Sequence, residues 1–371
     1  MIIGIDASRA NKQVKTGTEW YSYNLILELA KLDKNNQYNL YSPDKLKGEL
    51  AKLPQNFKEQ VLSWPPKYLW TMVRLSYEMK KNPPDILFVP AHIIPLASPK
   101  KTVTTICDIG FKSHPELYSN KEIKYHNFGL EQAIKKAALI LTISEFTKQE
   151  MIKFCNIDPS RIKVIYLGFS QNDYKKIDDQ NAIQNIKDKY KLPENYLFYT
   201  GRLNLKKNIL NLVKAFKNII ADPKFKDYKL VLAGVPENGY DLIEEEINKN
   251  NLRDKIIELG WTKEEDLPYL MNGAKLFVFP SNYEGFGIPP LEAMACGTLV
   301  VSSNAASLPE VTGEAAILFD PKNVDEMTEK IKLGLSDENL RYNLIEKGFQ
   351  QIKKFSWEKC ARETLDILKK V

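Results

Sequence analysis

No stretch of roughly eighteen consecutive apolar residues occurs, so nothing in the chain reads as a membrane-spanning helix. A signal-peptide pattern is missing too, since Met1 leads straight into a strand-like IIGID, and the expected location is cytoplasmic. Cysteine is scarce: Cys107, Cys155, Cys296 and Cys360 have neither C-x-x-C spacing nor a histidine at metal distance in sequence. That pattern argues against a disulfide framework or a zinc site and for reduced thiols. Charge is not gathered into blocks. The net +6 comes from lysines spread over the whole chain, without the basic stripe or motif of a nucleic-acid binder, so no nucleic-acid partner is expected. The excess suits a phosphate-bearing ligand, anionic lipid headgroups or simple solubility. No fixed-period repeat and no low-complexity segment occurs.

What is present is an ordinary balance, 27% charged and 43% apolar, over 371 residues, long enough for two domains with separate cores. Short β-branched and aromatic runs recur at residues 2–6, 38–41, 60–63, 85–89, 102–107, 139–143 and 162–166, and helical patterns separate several of them, the first over 19–32. That alternation predicts a doubly wound α/β domain over residues 1–168. Ser144 is the expected N-cap of the helix that follows 139–143. Residues 169–194 are polar, rich in Lys, Asp and Asn, and read as a linker with a short helix in its middle. A second doubly wound domain is expected over 195–355, with a turn at 307–310 and closing helices broken near Phe355 and Ser356.

The second half is organised around residues 275–301, KLFVFPSNYEGFGIPPLEAMACGTLVV. A buried strand runs into a loop carrying Glu284, Gly285, Phe286 and Gly287. Pro289 and Pro290 then open a helix, because proline is tolerated in a first turn, and Glu292 is expected within that turn. Two carboxylates thus meet at the carboxyl end of one strand, where open α/β sheets bind ligands. The glycines let a backbone approach a ligand closely, and N–H groups at the helix start near Ile288 favour a phosphate. Carboxylates beside a phosphate make sense when they accept hydrogen bonds from hydroxyls, so the ligand read here is part phosphate and part sugar. The bland alternative is a surface loop whose Glu292 merely complements the helix dipole. Further upstream, a strand at 196–200 ends in a loop from Gly201 to Asn208 that carries Arg202 and Lys207. A planar fork and a point charge suit a diphosphate; a solvated basic loop is the other reading.

The stretch at 275–301 resembles the E-x7-E segment of retaining glycosyltransferase family 4, of the group 1 type and mannosyltransferase-like, and Gly201 to Asn208 resembles that family's diphosphate-binding loop. The resemblance implies the α/β GT-B fold, two Rossmann-like doubly wound domains facing a central cleft. A nucleotide-sugar donor would be held mainly by the second domain and a saccharide or lipid-linked acceptor mainly by the first. It implies that Glu284 meets the donor sugar and Glu292 the nucleotide ribose, with Gly201, Arg202, Lys207, Gly285, Phe286, Gly287 and Ile288 around the donor. The backbone at Gly260 and Trp261 would meet the base, with Trp261 either stacking or packing. Gly17 and Thr18 would face the donor diphosphate, although a plain helix N-terminus explains them as well. The last segment, 356–371, would cross back onto the first domain. No Asp-x-Asp occurs, so no metal bound through that motif is expected, and Arg202, Lys207 and the helix start near Ile288 would offset the charge on the leaving diphosphate.

Residues 104–119, TTICDIGFKSHPELYS, resemble the family's acceptor-side segment with one departure: Cys107 stands where a histidine is usual, while Asp108, His114 and Pro115 are kept. Asp108 either orients the acceptor hydroxyl in a general-base-like role or caps a turn, and His114 is either acceptor-side or a turn residue. Residues 67–81 are aromatic on one side and basic at their ends, which fits peripheral contact with the inner face of a membrane or a core-packing helix. The activity implied is hexose transfer, with mannose from GDP-mannose as the specific form and no cofactor beyond the nucleotide-diphosphate sugar substrate. A nucleotide-sugar epimerase of the same fold is one alternative. A binding protein without turnover is another, kept open by Cys107.

Overall fold

The computed structural model describes residues 1–65 and 68–371. In the first sheet β1 (Ile2–Asp6), β2 (Gln37–Ser42), β3 (Phe57–Val61), β4 (Ile86–Val89), β5 (Thr102–Ile106), β6 (Leu139–Thr142) and β7 (Ile162–Val164) are all parallel, in the order β3-β2-β1-β4-β5-β6-β7. The second holds β8 (Tyr196–Thr200), β9 (Lys229–Ala233), β10 (Ile256–Gly260), β11 (Leu276–Phe279), β12 (Val300–Ser303) and β13 (Ala316–Phe319), also parallel, in the order β10-β9-β8-β11-β12-β13. Helices link most successive strands, β4 and β5 being joined by a loop without one, and the central strands β4, β5, β11 and β12 are buried at every position. Their apolar runs are therefore continuous rather than alternating, as helix-covered parallel sheets require. Each sheet reverses its order once, between β1 and β4 and between β8 and β11, and the crevice at such a reversal is where this architecture takes ligands.

Chain contacts divide the molecule into two units, Met1–Gly168 with Phe355–Val371, and Phe169–Lys354. The helix Trp357–Lys370, N-capped by Ser356, packs on the helix Gly17–Leu32. It buries Trp357, Cys360, Ala361, Thr364, Leu365 and Leu368, one apolar stripe at helical spacing.

Four details differ from the sequence reading. Residues 169–194 are not a loose connection but part of the second unit. Ile183 is buried, Asn272 accepts from the Ile177 N–H at 2.8 Å, and it donates to the Lys175 carbonyl at 3.0 Å. The polar composition there is one solvated face of a packed segment. The strand expected at 60–63 lies at Phe57–Val61, because Phe57 stacks on Tyr38 with centroids 4.0 Å apart and sets the register of an otherwise exposed edge. The turn expected at 307–310 opens the short helix Leu308–Thr312. Among the described residues of that segment, 68–81, only Arg74–Lys81 is helical. Trp70, Met72, Leu75 and Met79 are buried there while Tyr68 and Tyr77 are 72% and 62% exposed, and Lys67 lies outside the described residues. The N-cap expected at Ser144 is present, its hydroxyl accepting from the Thr147 N–H at 3.1 Å.

Candidate active site

At the second reversal, the loops leaving β8 and β11 are stitched together by asparagines. Asn282 donates its N–H to the Lys206 carbonyl and its side-chain amide to the Leu205 carbonyl, both at 3.0 Å. Asn208, left-handed at φ 61°, donates to the carbonyls of Pro280 at 3.1 Å and Pro321 at 2.8 Å. Asparagine tolerates that conformation better than other side chains. These bonds bring Lys207 and Glu284 together across 77 positions of sequence: Nζ lies 2.5 Å from Oε1, and both side chains are mostly buried. Such a pair is costly to break by removing one partner, since the other charge is stranded.

The rest of the loop is fixed from beneath. The Ser307 hydroxyl lies within bonding distance of the Glu284 carbonyl, at 3.0 Å, and the Phe286 carbonyl, at 2.8 Å. Gly285 and Phe286 are buried. Gly287 takes φ 102°, and a Cβ there would come within 2.6 Å of Leu308, so this turn admits only glycine comfortably. The helix that follows is Ile288–Ala295, one residue longer at its start than expected, so Glu292 falls beyond its first turn. Pro289 and Pro290 carry no N–H, which leaves Ile288 and Leu291 as the first-turn donors for an anion.

Glu292 is largely buried, and none of the described residues donates a hydrogen bond to its carboxylate. Burial, reinforced by the charge of Glu264, pushes its pKa up from 4.5 to about 8. Arg202 shares the loop of Lys207 but does not join that pair; it lies 2.8 Å from Glu237, beyond β9, and is half exposed. Gly201 before it has φ 141°. Trp261 is 65% exposed, so its ring is not packed into the core.

The first reversal is built differently. Thr16 caps the helix Gly17–Leu32 and forms a capping box with Glu19. Arg9 and Lys12 each place a nitrogen 3.0 Å from Glu19 Oε1. Burial raises the Glu19 pKa, but the bonds from Thr16, Lys12 and Arg9 outweigh it and pull it down to about 2. A Cβ on Gly17 would meet nothing within 4 Å, so the helix start is open to approach. Burial, and then the Asp108 charge, push the Cys107 thiol up to about 12. Cys107 is therefore a neutral thiol at ordinary pH, neither base nor nucleophile. Asp108 accepts from the Gly110 N–H at 3.1 Å, the turn-capping geometry, and His114 Nδ1 lies 3.1 Å from the Ser113 hydroxyl just before Pro115.

One residue here escaped the sequence reading. His92, in the loop after β4, accepts the Cys107 N–H at Nε2, 3.3 Å away. Its surroundings, PAHIIP, match no motif; the available signals were its place just past a buried strand and the chain's total of three histidines.

Two doubly wound units of this topology define the GT-B class of α/β proteins, and a solved structure of Anabaena HepE in complex with UDP-glucose superposes with a TM-score of 0.76 at 19% identity, covering 100% of this chain and 99% of that one. The chain belongs to the glycosyltransferases: the family "Glycosyl transferases group 1" matches residues 182–351 and "Glycosyltransferase Family 4" matches residues 15–172. O-antigen chain mannosyltransferase B of Escherichia coli is 35% identical over 271 residues, 73% of this chain and 70% of that protein. Serotype-specific mannosyltransferase WbdA of Escherichia coli is 33% identical over 261 residues, 70% of this chain but only 31% of the much longer WbdA.

Proposed function

We propose that this glycosyltransferase moves mannose from GDP-mannose to a saccharide or lipid-linked acceptor, with retention of configuration and without a metal. The observation that carries the reading is the buried Lys207–Glu284 pair at the reversal of the second sheet. Paired as they are, the two charges neutralise each other. When a sugar diphosphate enters, Lys207 turns to the phosphates and Glu284 accepts from the sugar hydroxyls, so both stay satisfied. Arg202, the Ile288 N–H and the close backbone at Gly201, Gly285 and Gly287 take the remaining phosphate charge. Phe286 walls the sugar, Glu292 accepts from the ribose hydroxyls and Trp261 stacks on the base. Gly17 and Thr18, at the open helix start of the first unit, offer further N–H groups to a phosphate.

The bond from the anomeric carbon to the diphosphate oxygen breaks with its electron pair leaving on the diphosphate. The acceptor oxygen bonds to the same face, and its proton passes to the departing phosphate. Cations around the diphosphate favour this step because they act where negative charge grows. Asp108 and His114 orient the acceptor. Mannose is favoured by relatives named as mannosyltransferases. Exposed Tyr68, Leu69, Val73 and Tyr77 beside Arg74, Lys80 and Lys81 support a peripheral seat on an anionic membrane, where a lipid-linked acceptor would wait.

A panel of nucleotide sugars and acceptors tests the reading. Sugar transfer supports it; an isomerised donor points to an epimerase; binding without product points to a protein that has lost turnover, the reading that Cys107 keeps open. If Glu284→Ala and Arg202→Ala leave transfer rates unchanged, the site is misassigned.

A further inference from the structure

We propose that His92 supplies the imidazole of the first unit's site, as a positioning residue that stands at the carboxyl end of β4 in place of the one absent at Cys107 beyond β5. The inference rests on the transferase reading above. β4 and β5 are neighbours with Val89 opposite Thr104, and three residues further along each chain lie His92 and Cys107. The two positions are thus equivalent across the pair of strands. The contact between them is direct, Cys107 N–H to His92 Nε2 at 3.3 Å.

The loop holding His92 is rigid on the scale that positioning demands. The Thr104 hydroxyl lies within bonding distance of the carbonyls of Ala91, at 2.7 Å, and Val89, at 3.1 Å, and the Ser22 hydroxyl lies 3.1 Å from the Pro90 carbonyl. Each carbonyl from Val89 to Ala91 therefore faces a buried hydroxyl. Ile93 and Ile94 anchor the other side, and the helix Asn120–Lys136 closes over them at Gly129, where any side chain would collide with Ile93. The ring of His126, on that helix, lies 6.2 Å from the His92 ring and stacks on Phe111. With Nε2 accepting, a neutral His92 carries its proton on Nδ1. It fixes the backbone that presents Asp108 and sets an imidazole against the Cys107 N–H.

Transfer kinetics on the full chain test this. His92→Ala is expected to lower kcat about a hundredfold with the donor KM little changed. His92→Gln keeps an acceptor for the Cys107 N–H, so a purely structural role predicts near-normal rates, whereas the proposal predicts a loss like that of alanine. Moving the imidazole across, as His92→Ala with Cys107→His, is expected to recover about tenfold or more. Nucleotide binding by calorimetry and the thermal midpoint should be unchanged in His92→Gln. A folded His92→Gln enzyme with normal kcat, or a relocated imidazole that restores nothing, overturns the inference while leaving the transferase reading standing. A wild-type protein that binds nucleotide sugars and transfers none of them overturns that reading and this one together.

Discussion

The two sheet reversals handle buried charge in opposite ways. At the first, Glu19 has two cations and a cap around it, and its pKa falls to about 2. At the second, Glu292 has no donor among the described residues and rises to about 8, while Lys207 and Glu284 pair with each other. A saturated carboxylate is scaffold. An unsaturated one, or a pair that can exchange partners, suits a binding site, because a ligand that brings hydroxyls and phosphates would relieve the cost of that burial.

If that contrast is right, the largest effect belongs to the exchangeable pair. Glu284→Ala or Lys207→Ala should lower kcat by about a hundred- to a thousandfold, the range for removing one group that stabilises developing charge. The double variant should be little worse than either single one, since the two act as a unit. Additive losses in steady-state rates would break the idea of partner exchange.

Glu292→Gln comes next. In the folded protein Glu292 keeps its proton up to about pH 8, whereas unfolded it titrates near the ordinary 4.5. Its contribution to stability is thus full below about pH 4.5 and is lost as pH rises through about 8. Urea unfolding without ligand should find the glutamine variant equal to wild type at pH 4 and more stable at pH 9, by roughly 2–3 kcal/mol. The same variant should bind nucleotide more weakly. Equal stability at both pH values would remove Glu292 from the unsaturated class.

This contrast also explains what the sequence made legible. Glu284, Gly285, Phe286, Gly287 and Glu292 lie on one strand-loop-helix, so their spacing survives as a readable string, and Lys207 was found because it too follows a buried strand. Their pairing was not readable, because it depends on Asn208 and Asn282 closing two loops that are remote in sequence. The first reversal draws Arg9, Glu19, His92 and Cys107 from three separate loops and a helix start, and no short pattern connects them. Thus Cys107 looked like a simple loss, and His92 stayed invisible until β4 and β5 were set side by side. Residues 169–194 misled for a related reason, since composition reports the exposed face and not the buried Ile183.

Glu19→Gln sharpens the other side of the comparison. Its folded pKa of about 2 lies below the ordinary 4.5, so its contribution is present above about pH 4.5 and is lost as pH falls through about 2. At pH 7 the variant should be less stable by roughly 1–2 kcal/mol, a figure discounted because Arg9 and Lys12 are half exposed and screened. The loss should shrink in high salt and vanish near pH 2. A variant as stable as wild type at pH 7 would mean that this edge is not the scaffold its bonds suggest.

The smallest effect is expected at Trp261, and it separates affinity from stability. At 65% exposure the indole contributes little to the fold, so Trp261→Ala should leave the thermal midpoint within about a degree. If the ring stacks on the nucleotide base, affinity for the free nucleoside diphosphate should fall roughly five- to tenfold, about 1 kcal/mol, and should recover with phenylalanine, which keeps an aromatic face. Calorimetry with the diphosphates of guanosine and uridine reads both losses. A larger loss for one base assigns the donor's nucleotide, and no loss for either moves the base away from the carboxyl end of β10 and leaves the phosphate and sugar contacts as the whole of the recognition.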